Sequence, residues 1–187
     1  MRKKENVEKK LIESFKELAK RTPIEKITIQ EIVEGAGVIR PTFYNHFHDK
    51  YQLLEYIFKS EVIEPVKPLI HNDMLDDAVV LIFVQVLKDK DFYGRAYRLE
   101  GQNSFESIVK NSLHEMLLDF IEEDSGNKES RYKLLSHDML ANYYSVFLAF
   151  IFITWIRDGM IVSPQEMRDL FNYIKDHSLY EIIREME

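Results

Sequence analysis

Apolar residues recur at helical intervals along most of the chain, and strand-type alternation is scarce. Leu11, Phe15 and Leu18 follow an i, i+4, i+7 spacing in a charged background, which predicts an amphipathic helix over roughly residues 4–20. Arg21-Thr22-Pro23 ends it, because the residue before a proline avoids the α region. Thr28-Ile29-Gln30-Glu31 fits a capping box, in which the threonine oxygen takes the amide three residues on and the glutamate reaches back. Ile29, Ile32 and Val33 supply one apolar face, and Gly35-Ala36-Gly37 stops this helix, with Gly37 suited to a left-handed position. A short helix from about Ile39 to Asn45 tolerates Pro41 because a first turn needs no intrahelical donor. Phe43 and Phe47, four apart, face inward. A fourth helix starts near Asp49 as N-cap and carries Leu53, Leu54, Ile57 and Phe58.

Beyond residue 60 the chain stays helical. Glu64-Pro65-Val66-Lys67-Pro68 reads as a boundary or kink. Helices are predicted at about 74–88, 90–100, 104–123, 131–158 and 164–176, with a tail helix near 179–186 and the clearest loop at Asp124 to Asn127. The fold class is therefore all-α. The N-terminal three-helix unit, residues 1–48, reads as a helix-turn-helix DNA-binding domain. Residues 49–187 read as a second, helical domain. In the helix-turn-helix the second short helix enters the major groove. Phe43 and Phe47 would anchor it, leaving Arg40, Thr42, Tyr44, Asn45 and His46 outward.

Composition changes this picture in two ways. The net charge of −7 at first argues against nucleic acid, but residues 1–50 carry 11 Lys+Arg against 8 Asp+Glu, and residues 51–187 carry 14 against 24. A basic head on an acidic body fits a nucleic-acid end. The absence of cysteine excludes disulfides and thiolate metal sites and points to a reducing, cytoplasmic setting, and the N-terminus has no secretory apolar region. The uncharged run from Met139 to Ile156 has 18 residues, the lower edge for a membrane span. Its Asn142, Tyr143, Tyr144, Ser145 and Thr154 favour a packed helix instead. No Gly-rich phosphate loop, HExxH site or nucleophile–base pair is visible, and His46 and His48 lie on different sides of a helix. Neither catalysis, nor a metal, nor a cofactor is expected.

TIQEIVEGAGVIRPTFYNHFHDKYQLL, Thr28 to Leu54, resembles the signature of the TetR family of bacterial transcriptional regulators, matching it at Thr28, Ile32, Ala36, Gly37, Val38, Thr42, Tyr44, Phe47, Lys50 and Leu53. Two positions depart. Ile39 stands where a capping serine or threonine is usual and is free to touch a thymine methyl, and Pro41 stiffens the helix start. A shorter stretch, Trp155 to Met160 followed by Ser163-Pro164-Gln165-Glu166, is similar to regulators related to the dihydroxyacetone kinase activator, a subgroup that uses a protein co-regulator.

The resemblance implies a homodimeric repressor that binds a palindromic operator on double-stranded DNA and is released by a small-molecule effector, with no membrane involved. The alternatives are control by a protein co-regulator, or an interaction module that has lost DNA binding. Thr28, Thr42, Tyr44, His46 and Lys50 would contact phosphates, Arg40 would read guanine through its bidentate fork, and Ile39, Pro41 and Asn45 complete the DNA-facing set. Apolar walls for an effector are expected from Phe83, Phe92, Tyr97, Phe105, Met116, Tyr144 and Phe147. Phe152, Trp155 and Ile156 are expected at a dimer seam built from the 139–156 and 164–176 helices. The resemblance further implies that residues 49–187 form a helical regulatory domain for ligand binding and dimerisation, and that a signal received in residues 60–187 would travel through the fourth helix, 49–63.

Overall fold

A computed structural model describes residues 2–126, 131–132 and 134–185, with side chains from Asn6 onward. Every regular element among the described residues is helical. Helix α1 (Arg2–Ala19) leads into a 3-10 turn at Ile24–Lys26, then α2 (Ile29–Ala36), α3 (Arg40–Tyr44) and α4 (Lys50–Phe58). α4 runs on through a π turn, Lys59–Ile63. α5 (Lys67–His71), α6 (Leu75–Lys88), α7 (Lys90–Ala96), α8 (Phe105–Ser125), α9 (His137–Arg157), α10 (Pro164–Asp176) and α11 (Leu179–Glu185) follow.

The boundaries have local causes. Proline inside Glu64–Pro68 does not simply break the chain: Pro68 sits in the first turn of α5, where no donor is needed. The helix expected from residue 131 starts only at His137, because Ser136 caps it by accepting the Met139 amide. The helix expected over 90–100 ends at Ala96, in a turn closed by Arg98 and Leu99 amides on Arg95 and Ala96 carbonyls. Residue 186 of the expected tail helix and Asn127 of the expected loop lie outside the described residues.

One continuous apolar core joins the two halves, with Leu11, Phe15, Ile32 and Phe43 at one end and Phe83, Leu113 and Met167 at the other. α1 packs closely on α2 because Gly35 has no side chain: a Cβ there would lie 2.3 Å from Ser14 Oγ, whose hydroxyl donates to the Ile32 carbonyl at 2.8 Å. α8 and α9 lie side by side, and α10 covers α6. Small residues Ala141, Ser145 and Ala149 line the inner face of α9, permitting the close approach.

The two halves are also tied by charge. Lys16 on α1 meets Glu61 of the π turn at 2.5 Å and Asp89, between α6 and α7, at 2.6 Å, and its ammonium sits 5.5 Å from the Phe92 ring centre. Phe15 of α1 meets Phe92 edge to face at 6.0 Å.

That packing overturns several sequence expectations. Phe92 fills the α1–α7 contact, and Phe105 packs edge-on against Phe58 at 5.6 Å. Tyr97 lies on a surface cleft, Tyr144 is exposed, and Phe147 lies beside Val146 and Phe150 on the outer side of α9. Only Phe83 and Met116 of the expected walls enclose the apolar cavity of about 120 Å³ between α5, α6, α8, α9 and α10. Phe152, Trp155 and Ile156 are buried within the chain, where their side chains leave little surface for a dimer seam. Trp155 stacks edge-on with Phe83 at 4.8 Å and donates its indole N–H to the Val162 carbonyl at 2.9 Å. The exposed stripe of α9 is Tyr143, Val146 and Phe150, at i, i+3 and i+7. α9 is long and apolar enough to cross a membrane by length and composition alone, the one such helix among the described residues. Its uncharged character follows from having two apolar faces, one packed inward and one outward.

Candidate nucleic-acid interface

Thr28, the N-cap of α2, adopts an extended backbone and closes the expected capping box: its Oγ accepts the Glu31 amide at 3.2 Å, while its own amide donates to the Glu31 carboxylate at 2.8 Å. Its hydroxyl also donates to that carboxylate at 2.7 Å, so its proton is already engaged. The first-turn amides of Ile29 and Gln30, which have no helical partner, remain for an anion. Hydrogen bonds from the Thr28 amide, then from its hydroxyl, hold the Glu31 carboxyl below its ordinary value, with Lys50 adding a smaller pull. The cap is therefore complete above the ordinary carboxylate value and weakens as pH falls through the lowered one.

Gly37 ends α2 in the left-handed region at φ 65°, and the Val38 amide returns to the Val33 carbonyl at 3.0 Å. That double-back is a Schellman turn, and it sets the angle at which α3 leaves. α3 then starts on Ile39, an exposed N-cap with no side-chain cap, with Pro41 at its second position. Five residues make too short a helix to stand alone, so packing must hold it. Phe43 does this: it is fully buried and touches Phe47 at 5.8 Å and Tyr44 edge-on at 5.7 Å.

With Phe43 turned inward, Arg40, Pro41, Tyr44 and Asn45 are exposed and Thr42 is half-buried. Arg40 lies over Tyr44 one turn on, its guanidinium carbon 5.8 Å from the ring centre and one nitrogen 3.4 Å from the hydroxyl. Stacking limits the wandering of both side chains and presents a cation and a phenol together.

His46 differs from expectation. It is not directed outward: its ring is mostly buried and Nδ1 lies 3.1 Å from Glu8 on α1, which also accepts the Tyr56 hydroxyl at 3.1 Å. The carboxylate holds the end of α3 to α1 and α4. No pattern in the sequence links residues 8 and 46, so only the folded arrangement reveals Glu8.

Lys50 has a second partner set that sequence could not show. Its ammonium donates to the carbonyls of Glu25 at 2.5 Å and Ile27 at 2.8 Å, tying the 3-10 turn to the start of α4. Burial pushes its pKa down, against the opposing pull of Glu25, Glu31 and Asp49. Lys50→Met should therefore lower stability by roughly 1 kcal/mol, below the usual range for charge-assisted bonds because the ammonium is only partly covered. Chemical denaturation tests this; a lysine engaged with DNA alone would leave stability unchanged.

The arrangement matches two family profiles. "Bacterial regulatory proteins, tetR family" covers residues 11–57, and "Transcriptional regulator C-terminal region" covers residues 73–178, more than half the chain. The dhaKLM operon transcriptional activator DhaS of Lactococcus lactis is 23% identical over 126 residues, 64% of this chain and 65% of that protein, so the chain spans slightly less than two thirds of this relative. A TetR-family transcriptional regulator from Syntrophomonas wolfei shares the fold at a TM-score of 0.63 and 16% identity, covering 89% of this chain and 91% of that one. NalD of Pseudomonas aeruginosa, the secondary repressor of the MexAB-OprM multidrug efflux pump, does so at 0.59 and 18%, covering 88% and 92%. The two profile matches, one over the capped helix, glycine turn and short helix that shows Arg40 and Tyr44 and the other over the helical bundle that follows, place this chain in the TetR family of bacterial transcriptional regulators.

Proposed function

We propose that the protein is a homodimeric cytoplasmic repressor that reads a palindromic operator and releases it when a small apolar effector binds. The observation that carries this reading is α3, a short helix locked by buried Phe43 and presenting Arg40, Thr42, Tyr44 and Asn45 outward. Residues 1–48 form the reading head and 49–187 the regulatory body. One such helix covers few base pairs, and two copies about 34–36 Å apart meet successive half-sites.

The apolar cavity supports the effector. Its volume of about 120 Å³ and its walls, Ile82, Phe83, Met116, Leu148 and Met167 among them, suit an apolar group of about one ring. An empty apolar cavity of about 150 Å³ binds benzene in another protein. α6 contributes Ala78, Val79, Ile82 and Phe83 to the walls and ends beside Asp89, which holds Lys16 of α1. A ligand that prefers one position of α6 thereby shifts the head, in proportion to its differential affinity for the two positions. The likeness to DhaS, named an activator, favours a second reading in which the same head activates under control of a partner protein.

The test is a gel shift with DNA from upstream of the protein's own gene, repeated across salt concentrations and a panel of small aromatics. The expected result is a retarded complex whose log affinity falls by about 0.9 per neutralised phosphate for each log of salt, and its release by members of the panel. No complex with any upstream fragment would leave an interaction module without DNA binding. A complex that no small molecule releases would favour the partner protein.

A further inference from the structure

The chain as a whole is acidic, yet one of its clefts is cationic. Where α1 ends, α7 and the turn between α9 and α10 enclose a cleft of about 500 Å³. Lys20, Lys90, Arg95, Arg98 and Arg157 line it, against a single carboxylate, Asp91. Lys20 is paired with Glu17 at 2.7 Å and Arg157 with Asp158 at 2.9 Å. Lys90, Arg95 and Arg98 have no ion pair among the described residues; Arg98 rests instead near the Tyr97 ring, 5.9 Å from its centre.

Clustered like charges repel one another and weaken a compact fold. Elsewhere on this acidic surface lysines find carboxylates, as Lys59 does with Glu55 and Glu115 and Lys67 with Glu64. The two unpaired guanidiniums belong to one turn and the next of a single segment, and a guanidinium presents a planar fork that fits phosphate or carboxylate oxygens two at a time. Tyr97 and Met160 supply an apolar wall beside them for a carbon skeleton.

We propose that this cleft binds a small, multiply charged anion, a phosphate ester or a di- or tricarboxylate, with Arg95 and Arg98 as its principal ligands. The cleft is separate from the apolar cavity and shares none of its walls. Its occupant would touch the end of α1 through Lys20 and the α9–α10 turn through Arg157, bridging the reading head and the regulatory body.

Calorimetric titration of the full chain at fixed ionic strength, without DNA, tests this with inorganic pyrophosphate and citrate as probes. Because no DNA is present, the outcome is independent of the regulator reading. Saturable binding at one site per chain is expected for at least one probe, and which probe binds separates the phosphate from the carboxylate source. Arg95→Gln/Arg98→Gln should weaken it by about tenfold or more, as loss of charge-assisted hydrogen bonds implies, with a melting temperature unchanged or raised, since two repelling charges are removed. If the double variant does not fold, Arg98→Gln alone, at an exposed side chain, carries the same test. Unsaturable heats with both probes, or equal binding by the variant, would overturn the proposal.

Discussion

Phe150→Asp is expected to convert the dimer to monomer and to weaken operator binding by about a hundredfold or more. The side chain is 65% exposed in the single chain and lies in line with Tyr143 and Val146 on the outer face of α9. A contiguous apolar stripe on a soluble protein marks an interaction surface. A second copy meeting it across a two-fold axis would pack the same residues against each other. A carboxylate placed there would be buried without a partner, and hot-spot losses of about 2 kcal/mol or more correspond to well over tenfold. The operator contributes again, because a monomer engages one half-site. Since the Phe150 side chain is mostly exposed within the single chain, its replacement leaves the core of each chain intact. Sedimentation velocity at micromolar concentration gives the answer. A variant that stays dimeric would move the seam to another face.

Phe43→Ala is expected to cost about 3–5 kcal/mol, the usual loss for a buried aromatic, and to abolish DNA binding with it. Phe43 is fully enclosed and is the only residue of α3 that is. Phe47, its neighbour in the same core, stacks in turn on Tyr56 of α4 at 5.3 Å. Removing the ring takes away the contact that stands in for the intrinsic stability a five-residue helix lacks. Denaturant titration measures the loss. A cost under about 1 kcal/mol would mean that the His46–Glu8 contact, not the aromatic, holds the recognition helix.

What could be read from the sequence were features whose cause lies within a few residues. The capping box at Thr28 and Glu31, the left-handed Gly37 and the Asp49 cap all depend on neighbours three or fewer positions away. The stretch from Trp155 to Glu166 shows the same locality. Gly159 and Met160 turn through positive φ, and Ser163 with Glu166 forms a second capping box, so the stretch folds as a helix–helix turn. Within the candidate site, Arg40, Tyr44 and Asn45 are exposed as expected from the inward direction of Phe43.

The rest depends on contacts between distant residues. His46 is polar and close to the expected DNA-facing residues, and Lys50 matches the family signature, but Glu8 and the carbonyls of Glu25 and Ile27 take up their polar atoms. Helix α9 was ambiguous for a different reason. Apolar residues surround it, and periodicity cannot separate the stripe that meets α8 from the stripe left outside. Burial of Ala141, Ser145 and Ala149 decides it, because small residues allow the close helix contact and turn Phe150 outward. Most of the expected cavity walls lie elsewhere because large aromatics fill space: Phe92 and Phe105 complete the core, and the space left over lies among aliphatic side chains together with Phe83, Phe152 and Phe171.

The central claim, that α3 reads DNA through Arg40 and Tyr44, is tested most directly by selecting binding sites from random DNA. The selected site is then titrated by fluorescence anisotropy with the wild type, Tyr44→Ala and Arg40→Ala. The account predicts a palindromic site, a uniform loss across sequences for Tyr44→Ala, and for Arg40→Ala a loss of discrimination of about 1–3 kcal/mol at one base pair of each half-site. Enrichment of no sequence, or wild-type binding by both variants, would contradict it.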